Sequence, residues 1–285
     1  RNVFGGGYQG DIEGNSGVNI GTKAGTTFYA GVPTILRSAY GGGEMAKVSG
    51  TSTVNMYNGY VGYRYDATNG YQPELELNNE DEKNLLKENG NLYGAGFGEG
   101  AVVMNTVVNL YGGTVRNGLY GGGEIAAVGK GIVNATGDAA DIETAGTAKV
   151  RIHGGLVMGD VFGGGRGYTY THTYTNEDSP YKTVREYTDG YVFGKTDVEI
   201  YRGAIGTAET LLEGRGNVFG GGNIGYVYGS GVKYTDPTNK EEAKIKAYLW
   251  PEEDYSELNV IYKASKNMPK MRKALEKHKS KLLWL

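Results

Sequence analysis

Val108-Asn109-Leu110-Tyr111-Gly112-Gly113-Thr114-Val115-Arg116-Asn117-Gly118-Leu119-Tyr120-Gly121-Gly122-Gly123 holds the pattern that the rest of the chain repeats. It joins two phrases. The first is Val108–Val115, with apolar residues at its first and third places, an aromatic at the fourth and glycine at the sixth. It returns at Val54–Val61, Val150–Val157 and Val198–Ile205. The second is an aromatic residue followed by three glycines. It appears at Phe4, Tyr40, Tyr120, Phe162 and Phe219, with a degenerate copy at Tyr93-Gly94-Ala95-Gly96. Repeats of this length point to a stacked, elongated architecture in place of a globular enzyme core.

Within the first phrase, Val54/Met56, Val108/Leu110, Val150/Ile152 and Val198/Ile200 alternate with polar Asn55, Asn109, Arg151 and Glu199. Alternation at period two marks a half-buried strand. A glycine turn and a second short strand follow, then the aromatic-glycine corner. The interval from Gly113 to Gly121 equals that from Gly155 to Gly163, so two copies keep register from corner to corner. A third apolar segment follows the triplet, as in Met45–Val48 and Ile125–Val128. Three short strands joined by glycine corners read as one coil of a parallel β-helix (β-solenoid). Glycine is expected there because it accepts positive φ and lets backbones approach closely. The competing architecture is an antiparallel sandwich of hairpins.

The first phrase recurs at uneven intervals of 54, 42 and 48 residues, about twice what three short strands need. The excess has loop composition at residues 66–91 and 129–146, so projecting loops are expected between coils. Residues 168–193 read as an inserted β-hairpin. Tyr168, Tyr170, His172 and Tyr174 alternate with threonines and give its first strand an aromatic face, and Asn176–Pro180 reads as its turn. The chain thus divides into a solenoid over 1–235 and a basic tail over 236–285. In the tail, Lys240–Lys246 and Met268–Leu285 read as helices forming a cap or a linker. Because the chain opens at Arg1, inside a repeat, it reads as a piece of a longer protein.

Composition narrows the chemistry. Glycine (50 residues) lacks the every-third spacing of collagen, and 24 tyrosines argue against simple disorder. A net charge of −3 gives no electrostatic footprint for nucleic acid. No cysteine is present, which removes disulfides, thiolate metal sites and cysteine nucleophiles. No apolar stretch is long enough for a transmembrane helix. The triplets lack the Lys-Ser/Thr of a phosphate loop. Calcium β-rolls need an aspartate at fixed offset, and Gly6–Asp11 misses their third glycine. Acidic loops at Glu80–Glu82 and Glu177–Asp178 read as solvated loops, with calcium the alternative. His153, His172 and His278 do not share metal-ligand spacing, and His153 stands where Tyr57, Tyr111 and Tyr201 stand in sister copies. Neither a metal nor a cofactor is expected. Tyr57, Tyr111, His153 and Tyr201 are expected to stack along one edge and Phe4, Tyr40, Tyr93, Tyr120, Phe162 and Phe219 along another, and the candidate binding residues are Tyr57, Tyr111 and Tyr201 together with the hairpin's Tyr168, Tyr170, His172 and Tyr174. The plainer reading is rings that cover glycine corners and stack for stability.

Corners such as Val3-Phe4, Leu119-Tyr120, Val161-Phe162 and Val218-Phe219 before their glycines, joined to Val-x-Ile-x-Gly-Gly strands, resemble a known type of repeat. It is that of glycine-rich secreted or surface β-helix proteins, above all adhesin-like proteins of Bacteroidota. The resemblance covers about residues 1–235. It implies a β-helix displayed extracellularly or at the cell surface, with a glycan or a surface protein as partner and no catalytic residues to carry over. The expectation is therefore a non-catalytic structural or adhesive segment. The alternative is a polysaccharide-processing β-helix lyase or hydrolase, for which Arg151 and Asp160 are the available groups.

Overall fold

The computed structural model describes residues 1–23, 32–73, 89–133, 140–174, 182–188, 190–206, 215–223, 225–228, 242–247 and 258–263. These are all-β, and among them no helix is long and apolar enough to cross a membrane. Two parallel sheets dominate. A six-stranded sheet runs in the order Val3–Phe4, Ala39–Tyr40, Leu92–Tyr93, Leu119–Tyr120, Val161–Phe162 and Val218–Phe219. The larger sheet aligns Ser16–Ile20, Val48–Met56, Val103–Leu110, Gly146–Val157 and Val192–Ile205. It curls because Gly146–Val157 pairs first with Val103–Leu110 and then, past its turn, with Thr114–Val115.

Every pairing between successive copies of the strand phrase is parallel. That excludes the hairpin sandwich. Val18, Val54, Val108, Val150 and Val198 share one register column, and Ile20, Met56, Leu110, Ile152 and Ile200 share the next. Together with Ala39, Leu92, Leu119 and Val161 from the six-stranded sheet they form one continuous core. A third wall is marked by single parallel bridges linking Val48 and Val128 to Val103, and Val128 to Val192. It encloses a smaller core with Ala95 and Ala148. Leu92 pairs directly with Leu119, so one complete tier takes 27 residues.

The longer tiers carry antiparallel hairpins, two of them where plain loops were expected. Tyr63–Asp66 pairs with Gly70–Pro73, Lys130–Val133 with Ala140–Thr144, and Tyr168–Tyr174 with Lys182–Thr188. The Asp66 carboxylate closes the first turn by accepting from the Asn69 and Thr68 amides (2.7 and 2.9 Å). These bonds, the one from Asn69 first, hold its carboxyl below the ordinary value. The third hairpin is the insertion foreseen at 168–193.

Two expectations need correction. The glycine triplets keep ordinary φ; positive φ belongs to the glycine inside the strand phrase, at Gly59 (110°), Gly113 (89°), Gly155 (81°) and Gly203 (114°). What the triplets supply is room. A Cβ on Gly94 would lie 2.2 Å from the Gly121 carbonyl oxygen, and one on Gly163 2.4 Å from that of Gly220. The helix expected at Lys240–Lys246 is replaced by a strand, Glu242–Ala247, parallel to Val192–Ile205 and followed by antiparallel Leu258–Lys263. Its register sets Ile245 beside Val198 and Lys244 and Lys246 beside Asp197 and Glu199. Period-two alternation and an open sheet edge outweigh helix propensity, which is a weak prior. The expected helix at Met268–Leu285 lies outside the described residues.

Two side-chain ladders tie the tiers at the corner. Ser16, Ser52, Thr106 and Thr196 occupy one inward column. Each donates its hydroxyl to the carbonyl of a triplet's first residue, Gly41, Gly94, Gly121 and Gly220 (2.6–2.8 Å). Two residues before four of the six aromatics, Asn2, Ser38 and Asn91 accept the amide of Ser38, Asn91 and Gly118 in turn (2.8–3.2 Å), and Asp160 accepts that of Asn217 at 2.9 Å.

Two stability tests follow from this packing. Gly122→Ala should destabilise by about 1–3 kcal/mol, because its Cβ would lie 2.6 Å from the Gly165 nitrogen. Gly221→Ala, the same place in the outermost triplet, meets nothing within 4 Å. It should stay within about 0.5 kcal/mol of wild type. Equal melting temperatures for the two variants would show that tier contact is not what demands glycine. In the hydroxyl column Ala148 breaks the series. Ala148→Ser should supply the missing bond to Gly163 and raise stability by about 0.5–1.5 kcal/mol, read from denaturant midpoints.

Candidate functional site

The corner aromatics are interior except at the two ends of their row, Phe4 and Phe219. Phe4, Tyr40, Tyr93, Tyr120, Phe162 and Phe219 stack in sequence with ring centroids 4.7–4.9 Å apart, as in-register strands dictate. Tyr40, Tyr93, Tyr120 and Phe162 are buried. A buried phenol needs a partner, and the column after the triplets provides it. Tyr40 donates to the buried Glu124 carboxylate, Arg166 lies 3.7 Å from Glu124 and donates to Tyr93 at 3.5 Å, and Asn223 donates to Tyr120 at 3.4 Å. Burial, then the Glu124 charge, pushes the Tyr93 phenol well above its ordinary value. Each of these phenols thus draws its partner from the residue after the triplet two copies further along the chain. For this row the plainer reading, stacking for stability, is the one observed.

The second row lies on the outward face of the curled sheet. Tyr57, Tyr111, His153 and Tyr201 stack at 5.0, 4.8 and 4.7 Å with interplanar angles of 6°, 10° and 3°. Tyr111 is 42 % exposed and the other three are half-buried. Beside the rings runs an amide ladder: Asn55 Nδ2 donates to Asn19 Oδ1 (2.9 Å), and Asn109 Nδ2 to Asn55 Oδ1 (2.8 Å). The same column continues into an ion pair, Arg151 Nε to Glu199 Oε2 at 3.1 Å, and Tyr201 also donates to Glu199 at 2.7 Å. Between neighbouring rings no flat face is left for a sugar. It offers rims and hydroxyls at strand spacing.

Sequence reasoning found Tyr57, Tyr111 and Tyr201 and the stack that unites them. It missed the amide ladder, whose signal was the recurrence of asparagine between the apolar places at 19, 55 and 109. Tyr168, Tyr170, His172 and Tyr174 lie on a strand paired in unbroken register with Lys182–Thr188, and their side chains lie outside the described residues. The acidic loops at 80–82 and 177–178 also lie outside them. Arg151 and Asp160, the groups available to a lyase, are engaged separately: Arg151 pairs with Glu199, and Asp160 binds the amides of Gly216 and Asn217. Among the described residues no three His, Cys, Asp or Glu side chains gather as a metal site.

No family model, curated protein or solved structure matches the chain.

His153 sets the pH response of the outward row. Burial first, then the neighbouring Arg151 cation, lowers its imidazole from the ordinary value of 6.5, against an opposing effect of Glu199. Arg202 faces it in register from the next strand. A depressed folded value means that its contribution to stability is complete above 6.5 and is lost as pH falls through the lowered value. His153→Tyr should fold normally, since three sister copies carry Tyr, and should flatten the acid side of the melting-temperature profile. An unchanged profile would place the pH response elsewhere.

Proposed function

We propose that the stacked tiers form a parallel β-helix, and that this chain is a non-catalytic structural and adhesive segment of a secreted or cell-surface protein. One observation supports this most. Hairpins enter at Lys130–Thr144 and Tyr168–Thr188, yet the flanking columns stay in register from Val108 to Val150 to Val198. A scaffold that absorbs insertions without losing register is suited to presenting them, and recognition usually resides on such elements. The polar groups of the corner are spent on tier-to-tier bonds. The hairpin strand Tyr168–Tyr174 carries the aromatic alternation suited to packing on a glycan or a protein.

The test is binding of the full chain to a glycan array and to extracellular-matrix proteins, compared with a Tyr170→Ala/Tyr174→Ala variant. The variant is expected to lose binding to at least one ligand class while its melting temperature holds. Undiminished binding to every ligand would remove the hairpin as an adhesive element. Silence of the wild type on all surfaces would end the adhesive reading.

A further inference from the structure

The first and last tiers carry the same six residues. Asn2-Val3-Phe4-Gly5-Gly6-Gly7 and Asn217-Val218-Phe219-Gly220-Gly221-Gly222 are identical, and none of the corners between them has that sequence. These two corners are also the two edges of the six-stranded sheet. Two series of amides run the same way through that sheet. Those of Val3, Ala39, Leu92, Leu119 and Val161 donate to the carbonyl two residues before the next tier's aromatic (2.9–3.1 Å). Those of Gly5, Gly41, Gly94, Gly121 and Gly163 donate to the next aromatic's own carbonyl (2.8–3.0 Å). Among the described residues the series leave over the amides of Val218 and Gly220 at one edge, and the carbonyls of Asn2 and Phe4 at the other. The glycines repeat this complement. A Cβ on Gly6 would lie 2.6 Å from the Gly43 nitrogen and one on Gly164 2.8 Å from that of Gly222, but a Cβ on Gly221 meets nothing within 4 Å. Phe219, the last ring of its row, is 39 % exposed.

What one edge lacks, the other supplies. The strands of this sheet are parallel and in register, so a copy set with its first tier on the last tier of another continues every column. Val3 then lies beside Val218, Phe4 over Phe219 and Gly7 over Gly221. Edge strands with unpaired amides and carbonyls are templates for such addition. The larger sheet carries an obstacle. Beyond Val192–Ile205 it adds Glu242–Ala247, which completes the last tier, and then antiparallel Leu258–Lys263, which has no counterpart in the six-stranded sheet. That extra strand takes the place that Ser16–Ile20 of an added copy needs. We propose that copies of this chain stack head to tail through the identical corners at Phe4 and Phe219, and that Leu258–Lys263 guards the junction, so that assembly waits on its release. The contact is heterologous and does not close on itself, so it builds a filament of tiers. This inference goes beyond the adhesive reading and depends on no ligand.

Sedimentation velocity of the full chain tests it. Val260→Pro/Ile261→Pro releases the guard: neighbouring strand residues aim their amides to opposite sides, so one of the two prolines removes a bond to Glu242–Ala247. Wild type should stay monomeric. The released variant should form oligomers whose average mass grows with concentration to at least about four times that of the monomer. Alanine stands at the second place of the third triplet, as Ala95, so the blocking change is the larger Gly221→Leu. Added to the released variant, it should restore the monomer with an unchanged melting temperature, because its Cβ enters open space. Val218→Pro deletes an outward amide at the same edge and should do the same, which decides the matter if the leucine variant misfolds. Blocked chains keep an intact first tier. Mixed into released chains, they should cap the growing ends and lower the average mass. No assembly of the released variant, assembly that survives a folded blocking variant, or wild-type chains that assemble as readily as released ones would overturn the proposal.

Discussion

The contact on which the rest of this structure depends is backbone on backbone at the corners. The second glycine of one triplet lies over the third of the next, so closely that a Cβ on Gly6, Gly42, Gly122 or Gly164 would come within 2.6–2.8 Å of a peptide nitrogen. No side chain has room there. With the corners locked at strand spacing, residues at equal distances from each corner must fall in columns. Valine then lies over valine and ring over ring. The ring rows are thus consequences of corner packing, and each stacked pair adds about 0.5–1.5 kcal/mol beyond its burial.

Tight corners leave backbone groups that need partners away from water, and short polar side chains supply them. The serine and threonine hydroxyls bond triplet carbonyls, and the asparagine and serine oxygens before three of the aromatics take the amide of the next tier. Strain appears just past the triplet. Met45 and Ile125 both hold φ of 56°, where Gly98, in the corresponding place, holds 93° without penalty. For a β-branched residue such as Ile125 this conformation costs of order 1–3 kcal/mol and persists only where the surroundings impose it. Here the parallel bridges of Glu44 with Phe97 and of Phe97 with Glu124 fix the residue before it.

Much of the architecture was legible because it is written as equal intervals. The corner-to-corner spacing shared by Gly113–Gly121 and Gly155–Gly163 needed no knowledge of packing, and neither did the Val and Ile columns. Other features were hidden by physics that one window of sequence does not contain. The stretch around Glu242–Ala247 has helical composition, and its alternation decides the outcome only because Val192–Ile205 presents an open edge in matching register. The hairpin Tyr63–Pro73 was read as loop from residue 66 onward because its strands have four residues each, too short for periodicity to stand out. The triplets' requirement for glycine was foreseen, but its cause was divided wrongly between torsion and space.

The outward row shows why an aromatic stripe alone does not define a binding surface. A tyrosine ring offers two faces and a polar rim, and the partner it fits depends on which are free. In-register strands set like rings at the distance where faces meet, so a row of this kind closes its own platforms. What survives is a line of hydroxyls and edges, and its usefulness depends on the polar column beside it. Asparagine is suited to that column because its amide can link to the next tier and still present hydrogen-bonding groups outward. Arg151 and Glu199 in the later tiers link as a charged pair, with Tyr201 also donating to Glu199. The same column therefore changes character along the stack, from an amide ladder to charged side chains.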